Sequence, residues 1–226
     1  MATVRESVES LGEEGGGAWP AFADLLAAST LIFLVFFATI AIPALRRAKA
    51  LEDQVIAQAR IVNGVQKWIR DSGHEQVLRA SRVGSYVLVE ITGNATFPQD
   101  QYELSRLAEQ GKQILRDFGA YLSQAVLDTV DQIQVVGHAS SEGSPVLNWR
   151  LSSNRAATVA LFLIDTVGID PCKVSALGRS YYYPKDPARA VPGEAADRRI
   201  ELEIHPTVKG DVEQETRRNA CRPGRR

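Results

Sequence analysis

From Leu25 to Leu45 the chain carries no charged residue and consists mainly of Leu, Ile, Val, Phe and Ala. A helix rises about 1.5 Å per residue, so roughly 20 such residues cross the apolar core of a bilayer. This run is long enough, and no other stretch of the chain is. It predicts a transmembrane helix over residues 19–45. Trp19 suits a membrane interface, and Pro20 suits a first helical turn, where its missing N–H costs nothing. One carboxylate, Asp24, stands at the leading edge. A charge at the centre of a spanning helix costs about 2.5–3.5 kcal/mol on insertion scales, less near an end, and such a residue is a functional candidate. The structural alternative is a wetted residue near a helix N-terminus, where aspartate is favoured.

A second pattern follows. Ala44, Ala48, Leu51, Val55, Gln58, Val62, Val65 and Ile69 alternate in steps of four and three, with Gln58 the polar exception. That is a heptad seam. It predicts a helix over residues 46–72, stopped at Asp71-Ser72-Gly73, with a kink allowed at Pro43. Two arrangements suit it: an amphipathic helix lying on its own domain, or a parallel coiled coil between two copies. Pairing is the expectation, because the seam directly follows the span. Gly64 weakens the helix.

Beyond Ser85 the period switches repeatedly. Tyr86 to Ile91 reads as a strand, 103–127 as a helix, 132–136 as a buried strand, 146–167 as a helix, 173–177 as a short strand and 199–204 as a half-exposed strand. Loops are expected over 93–100, 137–145 and 181–197. Alternating strands and helices predict a two-layer α/β domain of βαβαβ type over residues 85–205. Residues 1–18, acidic and Gly-rich, and 206–226, polar, are expected to be disordered tails.

Composition narrows the function. The formal net charge of −1 argues against a general nucleic-acid surface. The N-terminal glycines lack the Lys-Ser/Thr of a phosphate loop. Cys172, Cys221 and the histidines 74, 138 and 205 show no metal-site spacing, and a disulfide is open if the compartment is oxidising. No nucleophile–base pair stands at a recognisable spacing, so no enzyme and no cofactor is expected. The apolar run is too long, and the tail before it too acidic, for a cleaved signal peptide. Arg46, Arg47 and Lys49 follow the span, and by the positive-inside rule they would hold that side in the cytoplasm.

Two stretches resemble one family. Phe22-Ala23-Asp24-Leu25 is similar to the opening of the transmembrane helix of MotB-type stator subunits. Gly137-His138, Gly143, Asn148, Leu151-Ser152, Arg155-Ala156, Gly178 and Asp197-Arg198-Arg199-Ile200-Glu201 resemble the spaced pattern of the OmpA-like peptidoglycan-binding domain. The acidic tail and short linker look most like ZorB of the Zorya anti-phage defence system. The resemblance implies that Asp24 carries the translocated proton or sodium ion, and that Ser140, Asn148, Arg155 and Arg199 bind peptidoglycan. An arginine fork suits a stem-peptide carboxylate, and an asparagine supplies donor and acceptor; each also suits a role inside the domain. Ser140 stands where the family has an aspartate, which implies weaker binding unless Glu142 or Asp197 compensates. The resemblance further implies a homodimer, a surrounding polytopic partner of MotA/ZorA type, a cytoplasmic N-terminus and a periplasmic C-terminal domain in the inner membrane, against the charge count. The alternatives are a passive wall tether and a flagellar stator subunit.

Overall fold

The computed structural model describes residues 18–92, 95, 97–185, 197–208 and 212–221. The expected tail over 1–18 therefore lies almost wholly outside the described residues. The chain forms two compact units, residues 1–49 and 50–226.

Helix α1, Ala18–Asp71, is continuous through Pro43. Its first part is long and apolar enough to cross a membrane. Within the first unit its large side chains, Phe22, Leu31, Phe33, Phe36 and Phe37 among them, all face outward. An apolar surface of this kind needs lipid or another helix to cover it.

The second unit contains the end of α1 and a five-stranded mixed sheet in the order β1-β2-β5-β3-β4. The strands are β1 Leu78–Val83, β2 Tyr86–Ile91, β3 Val130–Gly137, β4 Val174–Gly178 and β5 Ile200–Pro206. Only β3 and β4 run parallel; the other pairs are antiparallel. The intervening helices are α2, Glu109–Ala125, and α3, Pro145–Asp165. Helix α3 opens with Ser144 as N-cap, its Oγ accepting from Leu147 N–H, and with Pro145 in its first turn. One core joins Val87, Val89, Ile133, Val135, Leu202 and Ile204 of the sheet to Ile114 and Phe118 of α2, Val159 and Leu163 of α3, and Ile61, Val65 and Ile69 of α1. The chain is thus an apolar helix followed by an α/β domain with a mixed sheet.

Four expectations need correction. The domain begins before Ser85, at the edge strand β1, whose burial is almost confined to Leu78. Strand β5, expected half-exposed, is buried on both faces: Ile200, Leu202 and Ile204 join the core, and Glu201 and Glu203 on the other face are covered by His138, Arg179 and Arg199. The seam of residues 58–69 is not free to pair. Gln58, Ile61, Val65 and Ile69 are buried within the unit, Gln58 Nε2 donates to Gly84 O, and Trp68 lies 5.3 Å from the Phe118 ring and 5.7 Å from Tyr121. Gly64 serves this packing, since a Cβ there would stand 2.6 Å from the Tyr121 hydroxyl. Only Leu51 and Val55 of the apolar seam positions beyond residue 50 remain exposed. Finally, the C-terminal stretch is not structureless: it forms α4, Val212–Ala220. Cys221 at its end is joined to Cys172 by a disulfide, and Gln214 accepts from Val208 N–H and donates to Pro206 O.

Candidate functional site

Strand β3 delivers Gly137 and His138 to the N-terminal end of α3. Strand and helix meet closely there: a Cβ on Gly137 would collide with Ser152 O, and one on Gly178 with Ser153. Around this seam run the loop 138–144, the first turns of α3 and the segment 179–185.

Ser140, Asn148 and Arg155 converge on this end of the sheet, and all three are buried. Arg155 is 2% exposed. Its Nε donates to Gln101 O at 2.9 Å, its Nη2 to Pro98 O at 2.8 Å and its Nη1 to His138 O at 3.4 Å. Its guanidinium also lies 5.8 Å from the Phe97 ring centroid. Burial, helped by the nearby charge of Arg198 and opposed by Asp100, lowers its pKa to about 10, so it stays charged at neutral pH. The planar fork expected for a ligand carboxylate is spent on three main-chain carbonyls, tying the 97–101 loop to the end of β3. Asn148 differs. Its Nδ2 is buried with no hydrogen-bond partner among the described residues, as are Ser180 Oγ and His138 Nδ1. A buried donor without a partner costs about 1–3 kcal/mol and calls for an explanation.

Arg199 does not join this group. Its side chain lies on the other face of the sheet, donating from Nε to Glu201 Oε1 at 2.7 Å and from Nη2 to Tyr183 O at 3.1 Å. It belongs to a ladder of charges. Arg179 reaches Glu203 at 2.8 Å and Glu201 at 3.6 Å; Lys185 reaches Glu90 at 3.5 Å; His138 Nε2 lies 2.9 Å from Glu201 Oε2. Burial would raise the Glu201 carboxyl, but the hydrogen bonds and charges of His138 and Arg199 override it and hold it at about 2. Burial also lowers His138, against the pull of Glu201. The consistent state is a neutral His138 with Nε2 beside an ionised Glu201, whose charge is balanced by Arg199 and Arg179. This ladder is how a central strand buries glutamates: each has a cation, as burial of a charge requires.

Neither candidate substitute for the missing aspartate stands open. Asp197 Oδ1 accepts from Lys185 N–H, and Glu142 faces Arg198 at 3.8 Å. Asp24, in the other unit, is exposed and makes no ion pair among the described residues. No cluster of metal-ligating side chains exists among the described residues. The sequence reading overlooked Ser180, at φ 52°, and the exposed aromatics Trp149, Tyr182 and Tyr183. Their visible signal was three consecutive tyrosines in a loop, a place where aromatics seldom serve a core.

Residues 96–198 match the OmpA family. That stretch of the domain is similar to the OmpA family. The chain is 33% identical over 103 residues to outer membrane protein A of Bordetella avium, covering 46% of this chain and 51% of that protein. It is 28% identical over 138 residues to the "Probable lipoprotein YiaD" of Escherichia coli, covering 61% of this chain and 60% of that one. It thus spans between half and two thirds of the length of these relatives. Among solved structures, the cell wall anchor of the type VI secretion system of Pseudomonas aeruginosa is similar at TM-score 0.50 and 25% identity, over 62% of this chain and 96% of that one. A MotB-like protein of Desulfovibrio vulgaris shares the fold at TM-score 0.58 and 19% identity, over 69% of this chain and 98% of that one.

Proposed function

We propose that this chain is the wall-anchored membrane subunit of an ion-driven stator or motor, of MotB type and resembling ZorB of the Zorya anti-phage system. The observation that carries this reading is a lone carboxylate, Asp24, at the head of the charge-free stretch 25–45 of α1, on the same chain as an OmpA-like domain. A passive tether would need the helix but not the acid. The macrodipole favours acids only within the first turn, and in a helix described from Ala18 Asp24 stands in the second.

In this reading α1 crosses the inner membrane with the N-terminus in the cytoplasm and the domain in the periplasm. The Cys172–Cys221 disulfide supports an oxidising compartment for the domain. Arg46, Arg47 and Lys49 weigh against it by charge count; surrounding spans of a polytopic MotA/ZorA-type partner would hold the helix against that bias. A homodimer places two copies of Asp24 within the partner ring. Each carboxylate takes up a proton or sodium ion and releases it to the other side. Loading cancels the charge, so the surrounding walls meet two states of different electrostatic energy, and that difference biases a conformational step.

The domain holds the complex to peptidoglycan. Binding runs over loop 138–144 with Ser140 and the free Nδ2 donor of Asn148, while Arg155 secures the loop from beneath. With Ser140 in place of an acid, the stem amine gains no charge partner there, so attachment is weaker than in relatives that keep the aspartate. Ser140→Asp is expected to raise recovery of the full chain on purified sacculi.

The test of the motor reading is biological output. Asp24→Asn keeps the shape and removes the carboxylate. The variant should assemble with its partner yet give no protection against phage. Normal assembly with full protection would leave only the tether.

A further inference from the structure

The surface next to the candidate site is aromatic. Trp149 is 44% exposed, Tyr182 53% and Tyr183 56%. They are not scattered. The Tyr181 and Tyr182 rings stack at 4.5 Å, Trp149 lies 6.0 Å from Tyr182, and the Arg179 guanidinium covers Tyr183 at 5.2 Å. A single exposed aromatic needs no explanation, but a contiguous group does. The fold does not need these rings: Phe97, Phe118 and Phe162 fill the interior.

The backbone beneath the rings is held in place. Ser180 has φ 52°, a left-handed conformation that is unfavourable for a non-glycine residue and persists only where its surroundings impose it. They do so here. Ser180 N–H donates to the buried Ser152 Oγ at 3.0 Å, and its carbonyl accepts from Ala139 N–H at 2.9 Å. Ala139 precedes Ser140, and Trp149 follows Asn148. The aromatic group is therefore tied at both ends to the two residues offered to the peptide stem.

We propose that Trp149, Tyr181 and Tyr182 form a stacking shelf for the glycan strand of the wall polymer, a chain of N-acetylated hexosamines. This rests on the wall-binding reading above. In that polymer each stem peptide is bonded to a sugar, so a site for the stem necessarily has sugar beside it. A hexose ring offers one face of C–H groups and a rim of hydroxyls. Aromatic faces take the first, while phenol and indole tips exchange hydrogen bonds with the second, because tyrosine and tryptophan join an apolar body to a polar end. Both ring types are stiff, so little conformational entropy is lost on binding.

The test uses the full chain in detergent micelles and three probes: intact sacculi, glycan strands stripped of their stems by an amidase, and free stem peptide. The wild type should bind all three. Trp149→Ala and Tyr182→Ala should each weaken binding to stripped strands about tenfold, leave stem-peptide binding and the Tm unchanged, and be largely rescued by Trp149→Phe and Tyr182→Phe. Variants that bind stripped strands like the wild type would overturn the shelf. So would a wild type that binds sacculi and stem peptide but ignores stripped strands, and that outcome leaves wall binding intact. A wild type that binds none of the probes removes both readings.

Discussion

Asp24 and Arg155 are both charged residues placed in apolar surroundings, one in each unit of the chain, and they differ in what they already hold. Arg155 is buried and has three main-chain carbonyls within hydrogen-bond distance. Asp24 is exposed and ion-pairs with nothing described. Arg199, with Glu201 at 2.7 Å, sides with Arg155. A charge whose bonds are spent inside the domain is scaffold. A charge exposed on an apolar helix, with no ion pair among the described residues, is the kind the proposed function assigns to an outside partner. Sequence motifs place both kinds of residue at positions of interest; only the bonding partners separate them.

The largest effect expected is on the scaffold side. Arg155→Ala removes a donor from three buried or part-buried carbonyls, of which only Pro98 O keeps another, from Gln101 N–H, and opens a cavity beside Phe97, which should cost about 3 kcal/mol or more. For a domain of this size that is a Tm lowered by roughly 6–12 °C. Arg155→Lys should rescue little, since one ammonium cannot span three acceptors in a plane. An unchanged Tm with lost sacculus binding would turn Arg155 back into a ligand group.

Next comes the Cys172–Cys221 crosslink, closed across 49 residues. Replacing both cysteines by serine should cost about 2–4 kcal/mol and release α4, read as faster proteolysis after Arg217 and as a lowered Tm. Equal Tm for both proteins would show that Gln214 and its partners suffice to hold the helix.

The pH response is smaller and has a definite sign. Burial lowers both His138 and His205 below the usual imidazole value. The unfolded chain therefore binds protons below about pH 6.5 that the folded chain refuses. Stability is complete above that pH and is lost as pH falls toward the folded values, by at most about 1.4 kcal/mol per pH unit for each histidine. Glu201, held at about 2, adds a further loss only between about pH 4.5 and 2. Thermal melts at pH 7.5, 6.5 and 5.5 should show a falling Tm, and His205→Gln should flatten the curve. A Tm that rises on acidification would contradict the neutral burial of these rings.

The smallest effect on stability belongs to the exposed remnant of the heptad seam. Leu51→Lys and Val55→Lys should change the Tm of the domain by less than about 2 °C, as surface changes usually do, yet abolish crosslinking between single cysteines placed at positions 52 or 56 of two copies. Val62→Lys should behave differently and destabilise, because Val62 packs against the domain's own core. Absence of wild-type crosslinks in membranes would remove pairing from this segment.

These contrasts show what could be read from the sequence. Tyr86–Ile91 was legible because a short apolar run with β-branched residues, bounded by a loop, reads as a strand. The apolar span was legible because composition alone carries it. The seam was ambiguous in principle: steps of four and three bury a helix against another copy or against its own domain equally well, and Trp68, Phe118 and Tyr121 decided for the domain. Strand β5 alternates like a half-exposed strand, but its glutamates are covered by Arg179, Arg199 and His138, which approach from distant positions. Strand β1 (LRASRV) and helix α4 (VEQETRRNA) are too polar to announce themselves; pairing with β2 and the disulfide hold them. In the site, the motif pointed to Asn148 and Arg155 together, yet spacing could not say that one has an unused donor and the other has none to spare for a carboxylate fork.

The contrast between a spent and an unspent charge is tested most directly by ion flux. The complex proposed above, of this chain with a polytopic partner of MotA/ZorA type, is reconstituted into liposomes, and dissipation of an imposed proton or sodium gradient is followed for wild type, Asp24→Asn and Arg199→Lys. The wild type and, once its folding is verified by an unchanged sedimentation profile, Arg199→Lys should pass the ion; Asp24→Asn, fully assembled, should not. Equal flux through wild type and Asp24→Asn would show that the carboxylate carries no ion.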